Sequence, residues 1–252
     1  MNILYVIIII IAEIDAHRTK KGLRVYNGDS DVTLKYPYVV SLLAGAEETI
    51  DVFPIKLCSG SLIHPSWVLS AAHCLVKELQ KIQSGTMGSK VIRMIRHPKY
   101  FGLNLRNDIG LVSVTPLILS KYASVSAVDY QTLPGHAVEY AGYGSTFKKE
   151  FKTPDKMLLV LLDQFRPIQI GQGVIRFCDG DVFAKNLICM SPKCTRQQFV
   201  MPGDSGGPLF CENKIVGVTC AITLDYSLQA FTPVSPYLTW IHNTMASEND
   251  PD

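Results

Sequence analysis

An excess of charge of either sign is what this sequence lacks first. Its 24 Lys and Arg against 22 Asp and Glu leave a net charge of +2, and charged residues make up 18% of the chain. With no basic run or stripe there is no electrostatic footprint for phosphates, so nucleic-acid partners are not expected. No apolar run reaches the ~20 residues that a bilayer-spanning helix needs, and the longest covers residues 3–12. There is no Asn-x-Ser/Thr triplet, so N-linked glycosylation is not expected. His64, His97 and His136 lack the paired spacing of a zinc motif and are read as surface or packing residues. Neither a metal nor a cofactor is expected. Internal repeats, low-complexity tracts and the strand–helix alternation of a parallel α/β chain are missing too.

What is present is apolar and broken into short pieces. A chain of 252 residues that is 47% hydrophobic and 9% aromatic can bury a large core, as one domain or as two barrels. Residues 3–12, Ile-Leu-Tyr-Val-Ile-Ile-Ile-Ile-Ile-Ala, read as the core of a signal peptide spanning 1–16, with cleavage after Ala16, although no Lys or Arg precedes them. Secretion follows as an expectation. Residues 17–24 are basic and poor in apolar side chains, and read as a pro-segment ahead of a domain at 25–252. β-Branched and apolar runs split by Gly, Pro, Asn and Ser fall at 38–43, 57–63, 66–71, 91–96, 109–114, 135–142, 157–162, 186–190, 207–219 and 228–234. Many short strands with turn signals indicate an all-β sandwich or barrel. Ser235 and Pro236 read as N-cap and first helical residue, and Leu238, Ile241 and Met245 follow at helical spacing, which predicts a helix over 236–246. Seven cysteines in a secreted chain imply disulfides with one thiol left over.

Three blocks carry chemistry. Met201-Pro202-Gly203-Asp204-Ser205-Gly206-Gly207-Pro208 sets one hydroxyl in a glycine-dense turn. Glycines there let the backbone take positive φ and approach a ligand closely, so a hydroxyl can be presented while N–H groups stay free. An ordinary turn between strands would use the same residues, so context decides. The stretch also satisfies the G-x-S-x-G elbow of α/β-hydrolases, which needs a preceding strand and a following Asp and His. The only later histidine is His242, close to a charged tail, so the elbow reading fails. Upstream, Leu69-Ser70-Ala71-Ala72-His73-Cys74 and Asn107-Asp108-Ile109-Gly110-Leu111-Val112 supply a histidine and an aspartate. The order is His, Asp, Ser.

On these blocks and their separations the sequence resembles the chymotrypsin/trypsin family of serine endopeptidases. The likeness runs from Arg24-Val25-Tyr26-Asn27-Gly28, similar to that family's activation junction, to Val234-Ser235-Pro236-Tyr237-Leu238-Thr239-Trp240-Ile241, similar to its closing helix. It implies two six-stranded antiparallel β-barrels, about 38–120 and about 130–235, with the active site between them and a C-terminal helix. It implies His73 as general base, Asp108 as its orienting acid, Ser205 as nucleophile, and the N–H groups of Gly203 and Ser205 as the oxyanion hole. Cleavage after Arg24 would free the α-amino group of Val25 to pair with Asp204, a buried carboxylate that needs such a partner. Disulfides Cys58–Cys74 and Cys178–Cys189 are implied, leaving Cys194, Cys211 and Cys220 without assigned partners; Val138 falls where the usual partner of Cys211 would be. Met201 stands where trypsins carry a cysteine, as in the granzyme, chymase and cathepsin G branch.

Departures gather on the substrate side. Phe199 falls at the base of the primary pocket where trypsins carry Asp, Cys220 replaces a hydroxyl that supports the aspartate, and Ile222 and Gln229 fall near pocket glycines. The expected protein is a secreted zymogen of a serine endopeptidase that does not prefer Lys or Arg. Its expected partners are protein or peptide substrates, an activating trypsin-like protease and protein inhibitors. The alternative is a secreted protease-like binding or effector protein with little turnover because its pocket is obstructed.

Overall fold

The computed structural model describes residues 25–45, 55–102, 106–144, 167–178, 186–194, 196–222 and 228–247, with backbone alone for Ala221 and Ile222. The signal peptide at 1–16, the pro-segment at 17–24 and the strand expected at 157–162 lie outside the described residues.

The short apolar runs become strands that close on themselves twice. β1 (Asp29–Ser30) precedes a first barrel of β2 (Val39–Ala44), β3 (Ile55–His64), β4 (Trp67–Ser70), β5 (Leu79–Ser84), β6 (Met87–Arg96) and β7 (Gly110–Val114), in the order β2-β3-β4-β7-β6-β5. The second barrel uses β8 (Ala137–Gly142), β9 (Gln169–Arg176), β10 (Ile188–Pro192), β11 (Pro208–Cys211), β12 (Lys214–Ile222) and β13 (Gln229–Pro233). Its order is β9-β10-β13-β12-β11-β8, closed by the β8–β9 pairing, with β1 added outside β9. All these pairings are antiparallel. Closure removes the exposed strand edges that an open sheet would have to protect.

Three elements differ from the expectation, each for a local reason. The run at 207–219 is split into β11 and β12 by Glu212 and Asn213, whose φ values of 50° and 61° make a tight two-residue hairpin turn. β5 reads Leu-Gln-Lys-Ile-Gln-Ser, with Leu79 and Ile82 its only large apolar residues, too sparse to signal a strand. β9 contains Gly171 and Gly173, which read as turn residues but are packing residues here. A Cβ at Gly171 would stand 2.1 Å from Tyr140 Cζ, and one at Gly173 2.5 Å from Met190 Sδ. The C-terminal helix also begins differently: Ser235–Tyr237 form a 3₁₀ turn, and α1 spans Leu238–Ala246.

Leu42, Leu62, Leu69, Ile82 and Leu111 fill the first barrel, each worth roughly 1.5–3 kcal/mol relative to exposure. The same cluster continues through Phe210, Ile215 and Val218 of the second barrel to Ile241 of α1, so the barrels share an apolar seam. A second cluster holds Tyr140, Ile175, Met190, Leu209, Phe231 and, from the start of the described chain, Val25. The connecting chain crosses from one barrel to the other at Val125, which bridges Ile215 in parallel. Among the described residues no helix is long and apolar enough to cross a membrane.

Candidate active site

His73 stands in a short 3₁₀ turn, Ala72–Cys74, directly after β4, and Asp108 stands two residues before β7, the neighbour of β4 in the first barrel. The β4–β7 register therefore brings them to one end of the barrel. Asp108 follows Asn107, which takes φ 54° and is fastened by Nδ2 to the Lys99 carbonyl at 2.8 Å and by the Tyr237 hydroxyl to its Oδ1 at 3.0 Å. The start of the C-terminal helical segment thus braces the turn that presents the acid.

Two hydrogen bonds join the pair. The His73 backbone N–H donates to Asp108 Oδ1 at 2.9 Å, and His73 Nδ1 lies 2.6 Å from Asp108 Oδ2. With the carboxylate ionised, Nδ1 carries the proton of the neutral imidazole and Nε2 keeps its lone pair. Asp108 is 1% exposed and His73 32% exposed, so the acid is sealed and the base reaches solvent. Burial lowers the imidazole pKa, but the Asp108 charge and hydrogen bond outweigh it against the opposing Arg96 charge, and the net shift is upward from the ordinary value. The carboxylate's field extends further: after burial, it is the next cause that lifts the Tyr100 phenol to about 12 and pushes the Cys220 thiol up.

Ser205 is half-buried in the turn leading to β11. It is carried to the same region by a chain of short connections. Its carbonyl accepts from Ser59 N–H at 2.8 Å, Ser59 follows Cys58, and Cys58 is bonded to Cys74, the neighbour of His73. His73 Nε2 lies 3.6 Å from Cys74 Sγ, and no hydrogen bond joins Nε2 to Ser205 Oγ. Gly203 takes φ 91°, and neither its N–H nor that of Ser205 donates to another described group.

Asp204 turns inward, 1% exposed, and its carboxylate accepts from Met201 N–H at 2.8 Å and Gly144 N–H at 2.9 Å. Val25 is buried at 3% exposure in the second-barrel cluster, and Tyr26 pairs with Phe199 through Tyr26 N–H to Phe199 carbonyl at 2.7 Å. Arg24 lies outside the described residues. The disulfides are Cys58–Cys74 and Cys178–Cys189, while Cys194, Cys211 and Cys220 are free. Cys58, His73 and Cys74 gather within 4.8 Å, but both sulfurs are spent in the disulfide and are not available as thiolate ligands.

On the pocket side, Phe199 stacks on Tyr26 with ring centroids 5.8 Å apart. Gln229 is fully buried, and its carboxamide spans the two residues flanking Phe199: Oε1 accepts from Val200 N–H at 2.8 Å and Nε2 donates to the Gln198 carbonyl at 3.2 Å. Both polar ends of Gln229 are therefore committed to backbone. Cys220 does not support Asp108; its thiol donates to the Ala230 carbonyl at 3.3 Å. Ile222 pairs in register with Gln229, but its side chain lies outside the described residues. Ser59, Gly144 and Gln198 carry no motif in the sequence, because each acts through a contact distant in the chain.

Comparison with known proteins gives a consistent picture. The trypsin family model matches residues 25–241. Trypsin V-A of Rattus norvegicus is 31% identical over 232 residues, covering 83% of this chain and 85% of that protein. Granzyme-like protein 1 of the same species is 31% identical over 227 residues, covering 83% and 86%. Among solved structures, neuropsin, a serine protease expressed in the limbic system of mouse brain, superposes with a TM-score of 0.67 at 20% identity, over 87% of this chain and 99% of that one.

Proposed function

This chain belongs to the trypsin family and is a serine endopeptidase, and on that premise we propose that His73, Asp108 and Ser205 are its catalytic triad, in a secreted enzyme made as a zymogen. The observation that carries the reading is the doubly bonded pair of His73 and sealed Asp108, which leaves Nε2 as the unprotonated nitrogen of an imidazole that reaches solvent. Nε2 takes the proton of Ser205 Oγ as the hydroxyl attacks the scissile carbonyl, and then delivers it to the leaving amine. Asp108 holds the tautomer and stabilises the imidazolium. The developing oxyanion receives the N–H groups of Gly203 and Ser205, each contributing roughly 3–4 kcal/mol in comparable sites. Water then repeats the cycle on the acyl-enzyme.

Export relies on the apolar stretch at 3–12, and the two disulfides suit an oxidising compartment. A trypsin-like protease cutting after Arg24 frees the Val25 ammonium to pair with Asp204; the burial of Val25 and the pairing of Tyr26 with Phe199 support this. Protein inhibitors are expected to compete with substrates for the same cleft. The preferred residue before the cut is small or medium and uncharged. With no acid at Phe199 and both ends of Gln229 committed, a buried Lys or Arg side chain would leave an unpaired charge, at about 3–5 kcal/mol. A branched residue at 222 and the buried Gln229 are expected to leave too little space for a large aromatic.

A fluorophosphonate probe tests the assignment. A form starting at Val25 is expected to label stoichiometrically at Ser205, the Ser205→Ala form not at all, and the uncleaved chain far more slowly. No labelling of the Val25 form contradicts the triad, and equal rates for cleaved and uncleaved chains contradict the activation step.

A further inference from the structure

Ser59 lies on β3 immediately after a disulfide cysteine, and it is fully buried. A hydroxyl sealed from water has to find its partners inside the protein. This one accepts from the Tyr143 backbone N–H at 3.0 Å and donates to the Gly203 carbonyl at 2.9 Å. The backbone of the same residue is also engaged: its N–H donates to the Ser205 carbonyl at 2.8 Å, and its carbonyl accepts from Ser70 Oγ at 2.8 Å. A single residue of the first barrel thus holds the carbonyls of both residues whose N–H groups face the developing oxyanion. The chemistry described above makes no use of its hydroxyl.

Gly203 sits at φ 91°, with no side chain to restrict rotation about its backbone bonds. The peptide between Gly203 and Asp204 is held at both ends, by Ser59 Oγ on its carbonyl and by the Met201 carbonyl on its N–H at 2.9 Å. The Met201 bond closes the loop on itself and turns with the loop. The Ser59 bond ties the loop to a barrel strand.

We infer that Ser59 is a positioning residue whose hydroxyl fixes the backbone of Gly203, so that the Gly203 N–H stays aimed with that of Ser205 at one oxygen. Through Tyr143 it also links this aim to the segment whose Gly144 N–H holds Asp204. The inference rests on the reading of Gly203 and Ser205 as oxyanion donors. Without the hydroxyl, the Gly203 carbonyl loses a buried donor and regains one most readily by rotation about the Gly203 backbone bonds, which carries the N–H off target.

Ser59→Ala and Ser59→Gly, each in the form starting at Val25, test it through kcat and KM on a peptide amide and through the Ki of a peptidyl boronic acid, whose tetrahedral adduct places an oxygen in the oxyanion site. Fluorophosphonate titration counts competent Ser205, and the glycine variant serves if the alanine variant does not fold. The expected result is a fall in kcat of about 10- to 100-fold with a matching rise in boronate Ki. KM should stay within about threefold, since the contact matters in the transition state, and the acid limb of the pH profile should not move because His73 and Asp108 are untouched. A folded, titratable variant with kcat and boronate affinity within about twofold of the parent, or with its loss in KM alone, overturns the inference and leaves the oxyanion reading standing. A parent enzyme that binds the boronate no more tightly than the corresponding peptide overturns both.

Discussion

The two barrels use the polar groups of their candidate site residues in opposite ways. On the first barrel, His73 and Asp108 spend two hydrogen bonds on each other and leave the Nε2 lone pair outside that pair. On the second barrel, Gln229 is fully buried and spends both ends of its carboxamide on the backbone of Gln198 and Val200. On the proposed reading, the first arrangement serves to move a proton and the second to close a space. If the proposed triad and pocket hold, reactivity and selectivity have separate supports in this molecule. The His73–Asp108 pair is braced by β4, β7 and the Tyr237 hydroxyl, and Gln229 by the backbone on either side of Phe199. A change in one need not disturb the other.

The largest effect should come from the first barrel. Asp108→Asn keeps the shape but favours the wrong tautomer of His73, and kcat is expected to fall by about 10⁴. Steady-state kinetics check this, and a loss below about tenfold would mean that another group orients the imidazole. On the second barrel, Gln229→Gly removes the carboxamide and opens the floor. The ratio of kcat/KM for Phe over Ala before the cut is expected to rise by about 10- to 200-fold, the range set by a changed apolar pocket. Fluorophosphonate labelling of Ser205 should persist in that variant; its loss would show that the two supports are not separate.

The smallest effect is in pH. His73 must be neutral to act as base, and its pKa is raised, so activity is lost as pH falls through a value above the ordinary one of about 6.5. Without the Asp108 charge, burial and the Arg96 charge remain and both lower the pKa, so the limb in Asp108→Asn should shift to lower pH. A parent limb at or below about 6.5 in the profile of kcat/KM would contradict the stated balance.

Legibility in the sequence follows the range of the contacts. His73, Asp108 and Ser205 each sit in a compact block whose neighbours are of small or turn-forming type, and such blocks can be read without the fold. The helix at the C-terminus was readable from its spacing, though the turn at Ser235–Tyr237 was not, because a 3₁₀ start and an α start share the same Ser-Pro signal. β9 was hidden by Gly171 and Gly173, whose reason for being glycine is the side chains of Tyr140 and Met190 on neighbouring strands. The closing of each sheet into a barrel came from the resemblance, since alternation fits a sandwich equally well. Ser59 is separated by 144 positions from the carbonyl it holds, and nothing local marks it. Cys220 stands where the resemblance implies a hydroxyl, and the sequence does not show that its thiol donates to the Ala230 carbonyl across the β12–β13 pair.

The most direct test of the separation between reactivity and selectivity is a peptide-library cleavage profile of the form starting at Val25, with Ser205→Ala as the blank. Cleavage that the blank lacks is expected, spread over small and medium uncharged residues before the cut. Dominant cleavage after Arg or Lys would contradict it, because a positive side chain would then be held in a pocket whose described floor has no acid to receive it.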